Sequence, residues 1–274
     1  MTFRRFLTTL GPGTLWLGTF LVVPLLIMLG YSLLTRTDLA QVGQPMTPEN
    51  WARVFGYDTL FQEWVTDNLR VLWRSVWLAG VSTLLCTLMG YPLAFYIAGQ
   101  AARKKNLLLL LLIIPFWTNF LIRVYAWILI LRPFDLVPSL TATFLGMVYA
   151  FLPFFVLPVY SSVEKVDWRL LEAAQDLGAS PVRAFFAGVF PQTLPGLVAG
   201  ILLTFIPALG TFVVSDILGG AKTALIGNLV QNQFGQAGDW PYGSALSFLL
   251  MGAVLLGLWV YARAAGQKGL EELL

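Results

Sequence analysis

Long apolar runs separated by short polar stretches set the pattern of this chain. Six runs reach the roughly 20 residues that a helix needs to cross a hydrocarbon core about 30 Å thick. They lie near residues 15–34, 76–98, 107–131, 141–160, 196–218 and 243–264. None shows the alternation of a barrel strand, so each predicts a helix whose backbone groups pair internally. The expected architecture is an all-α integral membrane protein. It has a cytoplasmic N-terminus over 1–14, a six-span domain over 15–265, and a cytoplasmic tail over 266–274. An outer loop is expected over 35–74 and a cytoplasmic loop over 162–192. Pro24, Pro115, Pro153, Pro158 and Pro207 stand inside the runs and predict kinks. Gly196 and Gly200 share the GxxxG spacing that suits close helix packing. The first run follows Arg4 and Arg5 but is too long for a signal-peptide core. No small-residue cleavage site follows Leu34, so it reads as a retained span.

Composition narrows the function classes. Of 274 residues, 58% are hydrophobic and 11% charged, against about 25% charged in an average soluble protein. A soluble enzyme and a disordered chain are both excluded. There is no histidine, and Cys86 is the single cysteine. Histidine-dependent triads, zinc-protease motifs, disulfide frameworks and cysteine metal sites are therefore absent. With the N-terminus inside, ten Lys/Arg fall on the cytoplasmic side and six outside, with Arg123 inside a span. Both termini are thus expected in the cytoplasm. No basic run exceeds Arg103-Lys104-Lys105, so no nucleic-acid partner is expected. Lys222-Thr223 invites a phosphate-loop reading, but Ala221 stands where that loop needs glycine. Energy must come from another subunit.

A few residues carry candidate chemistry. A charge at mid-membrane costs about 2.5–3.5 kcal/mol, so Arg123 should face protein or water. Asp216 lies near the outer end of the fifth run. The two either pair and share a pathway wall, or are satisfied separately. Trp117, Tyr125, Trp127 and Asp239-Trp240 offer aromatic and carboxylate contacts to an organic cation. Belt or packing roles are the plainer reading of those aromatics. The outer loop carries Asp38, Glu49, Asp58, Glu63 and Asp67 with Trp51 and Trp64. It is either an interfacial lid or a docking surface for an external partner.

The cytoplasmic loop is the most specific feature. Asp167 is a good N-cap, and Leu170, Leu171, Ala174 and Leu177 fall on one helical face. Glu172 and Asp176 lie one turn apart on the other. Gly178 is placed as a C-terminal cap, and Ser180 caps a second helix that opens on Pro181. Two short amphipathic helices joined by a sharp bend follow. Their apolar side needs the bilayer interface, their own bundle or a partner groove.

Glu172-Ala173-Ala174, with Gly178 after three residues and Pro191 beyond, resembles the EAA loop of ABC importer permeases. The chain departs from that pattern at Gly188, where the family has isoleucine, and at Phe190, where it has leucine. Ile114 to Trp127 resembles a third-span signature of the spermidine/putrescine branch. So do Leu218 to Thr223, the segment Leu225 to Asn228 with Gln231, and Gly238-Asp239-Trp240-Pro241. Together these cover roughly residues 70–265, and the likeness is greatest to the first permease of that branch.

The resemblance implies a six-helix type I importer domain of MetI-like fold in a bacterial inner membrane. It implies a heterodimer with a second permease, and two ATPase subunits that hold ATP and magnesium. It also implies an external solute-binding protein and a polyamine solute. No cofactor is expected on this chain. Glu172, Ala173, Ala174, Asp176 and Gly178 would form the coupling helix in an ATPase cleft. Trp117, Arg123, Tyr125, Trp127, Asp216, Asp239 and Trp240 would line the pathway. A membrane-embedded enzyme is the weaker rival, lacking any catalytic motif. A standalone channel or secondary transporter is another, but no clear internal repeat is present.

Overall fold

The computed structural model describes residues 11–37, 42–58, 63–64, 67–220 and 223–271. Arg4, Arg5, Asp38 and Lys222 lie outside them. Helix α1 is Gly11–Ser32, α3 is Asp67–Ala98, α6 is Leu140–Val163, α8 is Pro181–Gly210, and α10 is Trp240–Glu271. Between them lie α2 (Glu49–Val54), α4 (Ala102–Ile113), α5 (Phe120–Leu131), α7 (Arg169–Asp176) and α9 (Ile226–Phe234). Five helices are long and apolar enough to span, and the bent pair Ala102–Trp117 with Phe120–Phe134, counted as one broken span, brings them to six. The chain divides into two compact units. One takes the chain up to Val71 with Leu229–Leu255, and the other takes Leu72–Asn228 with the chain from Leu256 on.

In the first unit the segment after α1 folds back onto it. Asn50 Nδ2 donates to the Ser32 and Leu34 carbonyls at 3.1 and 2.7 Å. It thereby satisfies acceptors that a helix C-terminus leaves open. Trp51 Nε1 donates to Ser32 Oγ at 3.2 Å, and its ring lies 6.3 Å from that of Phe248. Trp51 is thus a packing residue rather than part of a lipid-facing lid. The segment also holds two minimal antiparallel ribbons, Thr35–Arg36 with Val42–Gly43 and Tyr57–Asp58 with Glu63–Trp64. They are the one β element among the described residues of an otherwise helical fold.

In the second unit α6 and α8 form the tightest pair. A Cβ on Gly196 would collide with Ser162 Oγ and lie 2.5 Å from the Pro158 carbonyl. One on Gly200 would lie 2.9 Å from the Phe155 carbonyl. The GxxxG spacing therefore brings two backbones together, as expected. From the other side Gly90 of α3 makes room for the fully buried Phe155 ring.

Two runs are not single helices. The third breaks at Thr118 and turns through 97°. Pro115 withdraws a backbone donor, a 3-10 turn covers Ile114–Trp117, and Thr118 is extended. Asn119 then caps a new helix, its side chain accepting from Leu121 N at 2.8 Å. The fifth run ends early, at Gly210, with Thr211 extended. The rest, including Asp216, forms a short π-helix over Ser215–Gly219. Several boundaries also shift: α1 begins at Gly11 and α10 runs to Glu271, past the expected 15 and 265. Helix α3 begins at Asp67, inside the expected loop, and α8 begins at Pro181. The second short helix expected in the 162–192 loop is therefore the start of a span, joined to it through a π-turn over Phe185–Val189.

Candidate functional site

The loop over 162–192 is built by local rules. Asp167 Oδ1 accepts from Arg169 N at 3.1 Å and opens α7. Gly178 has φ +86°. Its N–H reaches the Gln175 carbonyl, and Ala179 N–H reaches that of Ala174. These two bonds make a Schellman close, and the left-handed residue that makes it is glycine for want of a Cβ clash. Ser180 Oγ then accepts from Arg183 N, with Pro181 first in the next helix. Gly188, the departure from the EAA pattern, sits against the Leu170–Leu171 backbone, where a Cβ would lie 3.4 Å away. The small residue lets α7 press on the start of α8.

The outward face of this loop is unusual. Glu172, Ala173, Asp176 and Gly178 are exposed and Ala174 is half-buried. Leu177 was expected on the packed face, yet it is 89% exposed, and Leu170, Val182 and Phe186 are more than half exposed. Only Leu171 and Ala174 of that face are partly covered. Polar and apolar side chains therefore share one uncovered surface around the bend.

The candidate pathway residues separate into groups. Arg123 stacks on Phe116 and Phe120, its guanidinium carbon 4.6 and 5.5 Å from the ring centres. The three border a cleft of about 410 Å³ closed by Phe151, Phe154 and Phe212. Asp216 does not join it. Its Oδ1 accepts from Asn228 Nδ2 at 2.8 Å, and no ion pair among the described residues links it to Arg123. Of the two alternatives the pair is therefore not formed, because the helix break after Gly210 carries Asp216 onto a separate turn. Trp127 packs edge-on against Tyr149, while Trp117 and Tyr125 stand exposed. Trp240 is half exposed and meets Tyr31 and Phe234 edge-on.

Asp239 is a correction. It is 3% exposed, and both its oxygens are engaged. Oδ2 receives both Arg53 amino groups at 3.1 Å, and Oδ1 accepts from Tyr242 N at 3.1 Å as the N-cap of α10. Arg53 also lies 4.1 Å over the Tyr242 ring, whose hydroxyl accepts from Asn68. This carboxylate clamps α2 to α10, and its burial against Arg53 withholds it from a solute. Asp239→Ala removes the cap and strands the half-buried guanidinium, a loss of about 2–3 kcal/mol. Asp239→Asn keeps the cap and should recover roughly half of it. Thermal unfolding midpoints in detergent check that order.

Over residues 90–265 the chain matches the family described as binding-protein-dependent transport system inner membrane component. It is 42% identical over 273 residues to the spermidine/putrescine transport system permease protein PotB of Salmonella typhimurium, covering 92% of each chain. It is 41% identical to PotB of Escherichia coli, covering 92% of this chain and 96% of that one. The chain belongs to this family of importer permeases. It is a transport component of the inner membrane and not an enzyme. The inner membrane ABC transporter permease protein YdcU of Escherichia coli is 30% identical over 93% of this chain and 87% of its own. An inward-facing MetNI methionine ABC transporter matches at TM-score 0.59, with 21% identity over 72% of this chain and 93% of that one. A bacterial ABC transporter involved in alginate import matches at TM-score 0.63, with 15% identity over 89% of each. These two establish the fold as that of importer transmembrane domains.

Several residues that organise the permease escaped the sequence reading. Asn228 ties three segments: Oδ1 accepts from Leu225 N, and Nδ2 donates to the Phe212 carbonyl and to Asp216. Ser215 and Thr223 knot the same loop, each hydroxyl bonding to the other's carbonyl. Lys105 Nζ bonds Glu164 Oε1 at 3.0 Å and ties the start of α4 to the end of α6. That bond, with a second from Tyr160, holds the Glu164 carboxyl below its usual range. The tie is thus present above the ordinary carboxylate pKa and is lost as pH falls through the lowered value. An asparagine in a helix's first turn and paired small hydroxyls are visible signals, but their partners lie too far along the chain to be read from spacing.

Proposed function

We propose that this chain forms half of the translocation pathway of an ATP-driven polyamine importer, with spermidine and putrescine as its solutes. One observation carries the solute class. Identity of 41–42% runs through 92% of the chain against relatives whose names specify those two solutes. The second half is a different permease. Two cytoplasmic ATPases supply ATP and magnesium, and an external binding protein delivers the solute. Both termini lie in the cytoplasm, an orientation supported by the ten-to-six bias of basic residues. The six-span domain is taken as 15–265, within helices that run from Gly11 to Glu271.

Glu172, Ala173, Ala174, Asp176 and Gly178 couple nucleotide-driven closure to the spans, a mechanical role. The exposed Leu177 and Phe186 beside them support it, since such a surface needs a partner. Asp216 receives a solute ammonium through the oxygen that Asn228 leaves open. Trp117, Tyr125, Trp127 and Trp240 add aromatic faces that attract cations.

The test is uptake into proteoliposomes holding the full complex. Radiolabelled spermidine should accumulate only with ATP inside and the binding protein outside. Accumulation of another solute with none of spermidine or putrescine overturns the solute class. Spermidine movement by the chain alone without ATP overturns the permease assembly.

A further inference from the structure

We infer that Arg123 anchors the second permease subunit, its guanidinium receiving a carboxylate that the partner lays against α5. The inference rests on the proposed pairing and orientation. Its first support is an unanswered charge. Arg123 Nε and Nη1 are buried without an acceptor. The side chain as a whole is partly exposed, so Nη2 is the nitrogen that reaches the surface. The cleft beside it is walled by phenyl rings, and Thr211 is its other polar side chain. Rings return about 0.5–2 kcal/mol to a stacked cation. That is less than the roughly 2.5–3.5 kcal/mol a mid-membrane charge costs. Asp216 is held by Asn228 and makes no ion pair with it.

The second support is a shaped seat. Ile122, Ala126 and Ile130 are exposed at four-residue spacing along α5. With Trp127 and Tyr149 they line a groove of about 320 Å³ that Arg123 also borders. Small Ala126 between two isoleucines leaves room for the ridge of a crossing helix.

Charge decides the occupant. A polyamine is repelled by the guanidinium. A lipid phosphate lies at the membrane surface, yet the guanidinium folds back over Phe116, on the near side of the 97° break. Thr118 stands midway along the bent pair Ala102–Trp117 and Phe120–Phe134, so the break falls well away from both ends of that candidate span. A carboxylate on a partner span is the acceptor at that depth.

The test uses the full complex, affinity-purified through this chain. Arg123→Glu should lower the ratio of second permease to tagged chain by about tenfold, the loss of a charge-assisted contact. Arg123→Lys should keep most of it. The wild-type chain carrying a photo-crosslinking residue at Ile122 should form an adduct with the second permease, which keeps the test valid if Arg123→Glu misfolds. An unchanged ratio in Arg123→Glu overturns the inference, as does an Ile122 adduct with lipid alone. Neither readout depends on the solute, so a wrong solute leaves it standing. A wild-type complex without a second permease overturns both this inference and the proposed assembly.

Discussion

Alanine at Gly196 will destabilise this permease, although alanine is the better helix former. In an isolated helix the exchange gains about 1 kcal/mol. Here the new methyl group enters the α6–α8 contact. It overlaps Ser162 Oγ and lies 2.5 Å from the Pro158 carbonyl. Ser162 can rotate away, but a carbonyl of the α6 backbone cannot. The helices must separate, which also loosens Gly200 against Phe155. Overpacking of this kind costs about 1–3 kcal/mol. The unfolding midpoint in detergent should drop by roughly 3–10 °C, at about 2–4 °C for each kcal/mol in a chain of this size. Leucine at the same position should prevent accumulation of folded protein. Gly80, where a methyl group would meet nothing within 4 Å, is the control. Gly80→Ala should be neutral or slightly stabilising. A Gly196→Ala midpoint at or above wild type would falsify the close-packing account.

These two glycines show what was legible from the residues. The spacing of Gly196 and Gly200 already named a helix–helix contact, and the structure supplies its partner in α6. The Asp167–Gly178–Ser180–Pro181 series was equally legible, because caps and turns act over a few residues. Continuity of a span was not. Apolar composition reports burial in lipid and says nothing of whether Thr118 continues a helix or ends one. The Asn119 cap was there to be read but lay inside an apolar run that invited a single helix. Asp239 shows the other limit. An acidic residue beside a tryptophan reads as a cation site until Arg53, 186 positions earlier, is found on its oxygens. Arg123 and Asp216 left pairing and separation equally open from the sequence, and the helix break after Gly210 decides against the pair.

The largest functional effect should come from the bend after α7. Leu177 stands 89% exposed beside Gly178, and Glu172 makes no ion pair among the described residues. Changes there touch little within the chain itself, so Leu177→Asp and Glu172→Arg should each leave its unfolding midpoint within the about 0.5 kcal/mol expected of surface sites. Their effect falls on whatever covers the bend. Burying a leucine contributes about 1.5–3 kcal/mol. Its loss, with a charge placed in the same seat, should weaken ATPase binding by about 10- to 100-fold. Glu172→Arg reverses a charge and should leave hydrolysis running while solute uptake falls. The two variants therefore separate attachment from coupling: the first loses the ATPase on purification, and the second keeps it but wastes its turnover. Pull-down ratios, ATPase rates and spermidine uptake measured on one preparation distinguish them. If both variants bind ATPase and transport at wild-type rates, the bend is a solvated loop and the coupling contact lies elsewhere on the cytoplasmic face.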